Sequence, residues 1–149
     1  MSVVILTIGL PGVGKTSWAQ QYIKEHPEYI ILSTDKEREL QTGSSLCDRN
    51  TRFQIYDSVR EKARVHLKQK HNLIIDATNV DLSEWIAYQQ LCMLFNAKLG
   101  AKVFNIPPDQ AMEMQTHRDY VVPYDIVNEK WEQLSLNAGL IPYMFDFTL

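Results

Sequence analysis

Gly9-Leu10-Pro11-Gly12-Val13-Gly14-Lys15-Thr16 follows directly on the apolar run Val3-Val4-Ile5-Leu6-Thr7-Ile8. The octapeptide is a full G-x-x-x-x-G-K-[ST] pattern, and its place turns the pattern into a site. A strand delivers the chain into a glycine-rich turn, and the next helix starts at the same point. Backbone N–H groups and the positive end of the helix dipole therefore face one anion, which the pattern makes a nucleotide phosphate. Gly9, Gly12 and Gly14 let the backbone curl, Lys15 reaches the β and γ oxygens, and Thr16 offers a hydroxyl to Mg²⁺. Pro11, Val13 and Ser17 complete the nucleotide-binding stretch. Ser17-Trp18-Ala19-Gln20-Gln21-Tyr22-Ile23 reads as helix, the order the mechanism requires.

Outward from this loop, further strand-like runs occur at Tyr29–Ser33, Leu73–Asp76 and Ala101–Ile106. All are too continuously apolar for a one-sided sheet and read as buried parallel strands. Helices are predicted over Lys15–Glu25, about Asn50–Gln69 and about Ser83–Asn96; in the second, Phe53, Tyr56, Val59, Ala63 and Leu67 repeat at three and four. The alternation predicts an α/β fold: a parallel sheet with helices on both faces and the ligand site at the carboxyl ends of the strands. Beyond Pro107-Pro108, Asp109 caps a helix through about Thr116, and Pro123 restarts one through about Leu134. Leu140–Leu149 reads either as an edge strand or as a subunit contact in a homo-oligomer. Thr42-Gly43-Ser44-Ser45 reads as a loop.

The 149 residues fit one domain, 1–149. At 45% apolar and 22% charged, the composition is that of an ordinary globular chain. No apolar run reaches membrane-spanning length and the N-terminal run lacks a basic region, so no membrane partner is expected. Cys47 and Cys92 form no metal or disulfide spacing, which fits a reducing, cytoplasmic setting. The net charge of −3 argues against non-specific nucleic-acid binding, yet Leu46–His71 carries seven basic and three acidic residues. That stretch faces a polyanion or is a solvated helix face.

Two carboxylates stand at strand ends beside the loop. Asp76, after Leu73-Ile74-Ile75, is placed to hold Mg²⁺, or else caps its strand with Thr78. Asp35, after Ile30-Ile31-Leu32, faces the γ-phosphate side and is placed to take a proton from an attacking alcohol. It is also read as a helix N-cap, with Thr34 and Glu37 forming a capping box. Arg38, one turn on, binds a phosphate of the acceptor or pairs with Asp35 or Glu39.

TIGLPGVGKTSWA, STDKER and IIDATN together resemble the 5′-kinase domain of the phage-type polynucleotide kinases, within the P-loop kinase superfamily, over Val3 to about Leu134. The resemblance rests on Trp18, on Asp35-x-x-Arg38 and on Asp76-x-Thr78-Asn79. It implies that Asp35 is the general base and that Arg38 binds the 3′-phosphate of the acceptor nucleotide. It also implies that Arg118, in Thr116-His117-Arg118-Asp119, is a lid arginine on the ATP phosphates. Three features depart from the family: a lid with one arginine, no matching acceptor-base contacts in Gly43–Arg52, and no phosphatase nucleophile motif D-x-D.

The expected reaction transfers the γ-phosphate of ATP, bound with Mg²⁺ through Thr16 and Asp76, to a hydroxyl on nucleic acid. Lys15, Asp35 and Arg118 carry catalysis and Asp35 and Arg38 bind the acceptor, a DNA or RNA 5′-hydroxyl. A hydroxymethylated pyrimidine such as 5-hydroxymethyluracil, in phage DNA hypermodification, is the alternative acceptor. A small-molecule or nucleoside kinase and a non-catalytic nucleotide switch are the rivals from other classes.

Overall fold

A computed structural model describes residues 1–45 and 50–149. Leu46, Cys47, Asp48 and Arg49, and with them the reading of Cys47 and part of the basic stretch, lie outside the described residues. The strands are β1 (Val3–Ile8), β2 (Tyr29–Ser33), β3 (Asn72–Asp76), β4 (Lys98–Val103) and β5 (Phe147–Thr148), all parallel in the order β2-β3-β1-β4-β5. The helices are α1 (Lys15–Glu25), α2 (Thr34–Thr42), α3 (Arg52–Lys68), α4 (Leu82–Phe95), α5 (Pro108–Met114), α6 (Tyr124–Asn137) and α7 (Ile141–Met144).

Residue alternation explains why the strands are apolar throughout. Val4, Leu6 and Ile8 of β1 join Leu73, Ile75, Leu99 and Ala101 in one core, closed by Val59, Ala63, Leu67, Trp85, Tyr88 and Leu134 from α3, α4 and α6. Ile5 and Ile74 point to the opposite face, where Ala19, Trp18 and Tyr22 of α1 cover them. Both faces are thus buried, as the continuous hydrophobic runs predict.

Four sequence readings shift. β4 runs over Lys98–Val103 rather than Ala101–Ile106, because pairing begins at Val3 opposite Lys98 and Gly100 interrupts the apolar signal. The seam of α3 is Ile55, Val59, Ala63 and Leu67, while Phe53 is exposed. The α2 N-cap is Ser33, whose Oγ accepts from the Lys36 amide at 3.3 Å. The Thr34–Glu37 capping box does not form, since Thr34 already lies in the helix and Glu37 pairs with Lys62 and Gln41. Finally, α5 begins at Pro108 with Asp109 in its first turn and Pro107 at the cap.

Of the two readings of the tail, β5 takes the edge-strand one. Asp146 N–H donates to the Leu99 carbonyl at 2.8 Å, and Leu149 N–H to that of Ala101 at 2.9 Å. The Phe147 ring lies directly over Gly100, where an added Cβ would come within 2.3 Å of it. Gly100→Ala is therefore expected to destabilise the protein by about 1–3 kcal/mol through overpacking and to free the tail. Thermal melting with proteolysis of the C-terminus checks this; an unchanged melt would mean that Phe147 does not sit there.

Candidate nucleotide and acceptor site

The phosphate loop is fixed from three sides. Gly9 N–H donates to the Thr78 carbonyl at 3.0 Å, tying the loop's start to the segment that follows β3. Gly12 and Gly14 adopt left-handed φ values of 83° and 94°, which strain any other residue. Leu10 and Val13, two of the motif's four variable positions, are buried against Ala111 and Val127, so α5 and α6 rest on the loop itself.

Beneath the loop, Thr16 Oγ1 donates to Asp76 Oδ2 at 2.7 Å. Register pairs Asp76 with Ser33, which brings the ends of β3 and β2 side by side and puts Asp35 two residues beyond that pair. Lys15 Nζ donates to the Leu10 carbonyl at 2.5 Å. A cavity of about 570 Å³ gathers Gly12, Gly14, Lys15, Thr16 and Ser17 with Pro11, Asp35, Arg38, Asp76 and Arg118. Of the nucleotide-loop residues read from sequence, Val13 packs beneath the loop and Gly9 opens it against Phe104; neither lines the cavity. Trp18 lies on the sheet's other face, at 5.0 Å from the Tyr22 ring centroid and 6.3 Å from that of Phe104.

Electrostatics mark the floor of this cavity. Burial pushes the Asp76 carboxyl above the usual range, opposed by the Thr16 hydrogen bond and the Lys15 charge. A buried carboxylate joined to a hydroxyl is a hard oxygen donor set, and it fits Mg²⁺. Burial also lowers Lys15 to about 8, partly offset by Asp76 and Asp35. With the ordinary value near 10.5, the folded chain loses this proton before the unfolded one does. Below pH 8 the buried ammonium costs the nucleotide-free protein about 3 kcal/mol, and that cost disappears as pH rises toward 10.5. Phosphate anions restore the ammonium, so nucleotide affinity is expected to fall as pH rises through 8, by up to about tenfold per pH unit. Calorimetric titration from pH 7 to 9.5 checks this; a flat profile would contradict it.

Across the cavity, Arg38 Nη1 donates to Asp35 Oδ1 at 3.0 Å. Of the two readings of Arg38, the ion pair with Asp35 forms; the side chain is only 4% exposed, and among the described residues its Nε has no hydrogen-bond partner. Arg38 lines the cavity beside Asp35, and its guanidinium brings a positive charge there. Asp35 is 61% exposed and reachable by an incoming group. Sequence reasoning missed Arg52, Tyr56 and Lys130, which also line the cavity. Arg52 Nη2 is held by Asp81 Oδ2 at 2.7 Å, and its guanidinium carbon lies 5.8 Å from the Tyr56 ring centroid. Tyr56 was read only as part of a helix seam, and nothing in the local pattern distinguishes Arg52 from the other basic residues of its stretch.

The basic excess of α3 is largely spent on ion pairs. Arg60 binds Glu84 at 2.6 Å and also Asp57, Lys62 binds Glu37, and Arg64 lies 3.4 Å from Glu61. Arg52, Arg60, Lys62 and Arg64 of α3 thus each have an acidic partner. Among the described residues, no helix is long and apolar enough to cross a membrane.

A family model described as an AAA domain matches residues 4–138. Heterogeneous nuclear ribonucleoprotein U-like protein 2 of Homo sapiens is 56% identical over 34 residues, 22% of this chain and 5% of that protein. A chain in the structure of the Pnkp1/Rnl/Hen1 RNA repair complex superposes with a TM-score of 0.80 at 23% identity, over 93% of this chain and 45% of that one. A gluconokinase from Sinorhizobium meliloti 1021 superposes with a TM-score of 0.63 at 16% identity, over 88% of this chain and 74% of that one. Both likenesses show the fold, and the chain spans less than half of the repair-complex chain.

Proposed function

The chain belongs to the AAA-domain family, and on that premise we propose that it is a P-loop domain of the polynucleotide-kinase type that transfers the γ-phosphate of ATP to a nucleic-acid 5′-hydroxyl. The carrying observation is one cavity with two ends. At one end lie the phosphate loop, Lys15 and the Thr16–Asp76 pair; at the other, exposed Asp35 adjoins buried Arg38, and both line the cavity.

In this reading residues 1–149 act as one kinase domain. The loop amides and Lys15 bind the β- and γ-phosphates, and Arg38 holds the phosphate following the acceptor nucleoside. Asp35 takes the proton of the 5′-hydroxyl as its oxygen bonds to the γ-phosphorus and the bond to the β–γ bridging oxygen breaks. ADP leaves with the bridging oxygen's electron pair, and Asp35 returns its proton to water. Lys15 and Arg118 stabilise the charge on the transferring phosphoryl oxygens. Thr16 and Asp76 would hold Mg²⁺, which supplies charge neutralisation between the phosphates.

Two observations favour a second reading, a small-molecule kinase: acidic partners occupy Arg60 and Lys62 of α3, and the fold is shared with a gluconokinase. ADP release with each of three acceptors separates the readings: an oligonucleotide with a free 5′-hydroxyl, a 5′-blocked duplex containing 5-hydroxymethyluracil, and a panel of nucleosides and sugar acids. Turnover on the first alone, weakened by rising salt, is expected. Turnover only on the duplex moves the acceptor to a modified base, and turnover only on the panel overturns the nucleic-acid reading.

A further inference from the structure

Gln115, immediately after α5, is 0% exposed. Both ends of its amide bond Val122: Oε1 accepts from Val122 N–H at 2.9 Å, and Nε2 donates to the Val122 carbonyl at 3.1 Å. Nε2 also reaches Met112 Sδ at 3.1 Å. The side chain thus imitates a peptide group paired across a strand, and it ties together the two ends of the loop 116–121. Every residue of that loop is exposed, so little burial of its own orders it. Within it, Arg118 N–H donates to the Gln115 carbonyl at 3.1 Å, and Arg118, Asp119 and Tyr120 line the cavity.

The same residue touches the phosphate loop. A Cβ added to Gly12 would lie 2.8 Å from Gln115 Cβ, so the Gln115 side chain packs into the space that the glycine leaves. Gln115 therefore joins the Arg118 loop and the phosphate loop without itself lining the cavity. We propose that Gln115 is a positioning residue: its buried amide holds the Arg118 loop against the phosphate loop, so that the guanidinium is already ordered when the phosphoryl group transfers. The proposal rests on the phosphotransfer reading above for its catalytic consequence, and on the hydrogen bonds alone for its structural one.

Two variants and two readouts test it. Gln115→Leu removes both bonds to Val122; Gln115→Glu keeps an acceptor for the Val122 amide and loses the donor to its carbonyl. Hydrogen exchange at the Val122 amide is expected to quicken at least about tenfold in Gln115→Leu, and less in Gln115→Glu, with the amides of β4 and α5 unchanged. In Gln115→Leu kcat is expected to fall about tenfold with the acceptor KM within about twofold. In an Arg118→Ala background the same change is expected to cost less than about twofold, because Gln115 acts through Arg118. Unchanged exchange at Val122, exchange rising equally across α5 and β4, or an equal kcat loss in both backgrounds would overturn the proposal. Absence of any transfer by the unmodified protein would instead sink the phosphotransfer reading, and exchange at Val122 would still decide whether Gln115 holds the loop.

Discussion

Asp35→Asn is expected to reduce acceptor-dependent phosphate transfer by about 10²–10⁴-fold while nucleotide affinity stays within about twofold, the signature of a lost general base. The substitution keeps the shape of the side chain and an oxygen able to accept from Arg38 Nη1, now at 3.0 Å, so the acceptor pocket persists. It removes only the capacity to take a proton. Asp35 also stands apart from the phosphate loop's own contacts, in which Thr16 meets Asp76 and Lys15 meets the Leu10 carbonyl. Steady-state transfer and nucleotide titration on the same preparation check the split. Loss of both together would remove Asp35 from the role of base and make it a structural part of the nucleotide pocket.

The second large effect comes from Lys15→Met, and it has opposite signs for activity and stability. Transfer is expected to fall by about 10²–10³-fold, because a desolvated cation beside developing phosphoryl charge is the strongest stabilising element such a site holds. The nucleotide-free protein is expected to become more stable at pH 7. Lys15 is 8% exposed, and burial depresses its ammonium to about 8, so the folded state below that pH holds a charge it would rather lose. Removing it relieves up to about 3 kcal/mol, against about 1 kcal/mol for the hydrogen bond lost by the Leu10 carbonyl. Denaturant unfolding at pH 7, without nucleotide, measures the balance. A less stable variant would show that Asp76 and Asp35 already compensate the ammonium fully.

Much of this was legible in the sequence because it is local. The motif Gly9–Thr16 sets a strand, a turn and a helix within a few residues of one another, and β1 and α1 fall where the pattern puts them. The positions of Asp35 and Asp76 were legible for a similar reason: Asp76 ends β3 and Asp35 follows the end of β2 by two residues, and strand ends in a parallel sheet share one edge. The start of β4 was hidden because its burial comes from Val3, Phe147 and Asp146, all remote in sequence, while Lys98 and Gly100 read as breakers. Gln115 was invisible for a stronger reason. An isolated glutamine before a polar loop carries no pattern, and only the approach of Val122 and Gly12 gives its amide work to do. Arg52 belongs to the same class, since Asp81 fixes its direction from 29 residues away.

The central claim is that this cavity passes the γ-phosphate of ATP to a hydroxyl activated by Asp35. Its most direct test is incubation with γ-labelled ATP and two oligonucleotides alike except that one has a free 5′-hydroxyl and the other a blocked 5′ end, followed by mass-spectrometric mapping of the label. Label on the 5′ terminus of the first alone, lost in Asp35→Asn, is the predicted result. Hydrolysis of ATP with no label on the oligonucleotide, or labelling that survives Asp35→Asn, would contradict it.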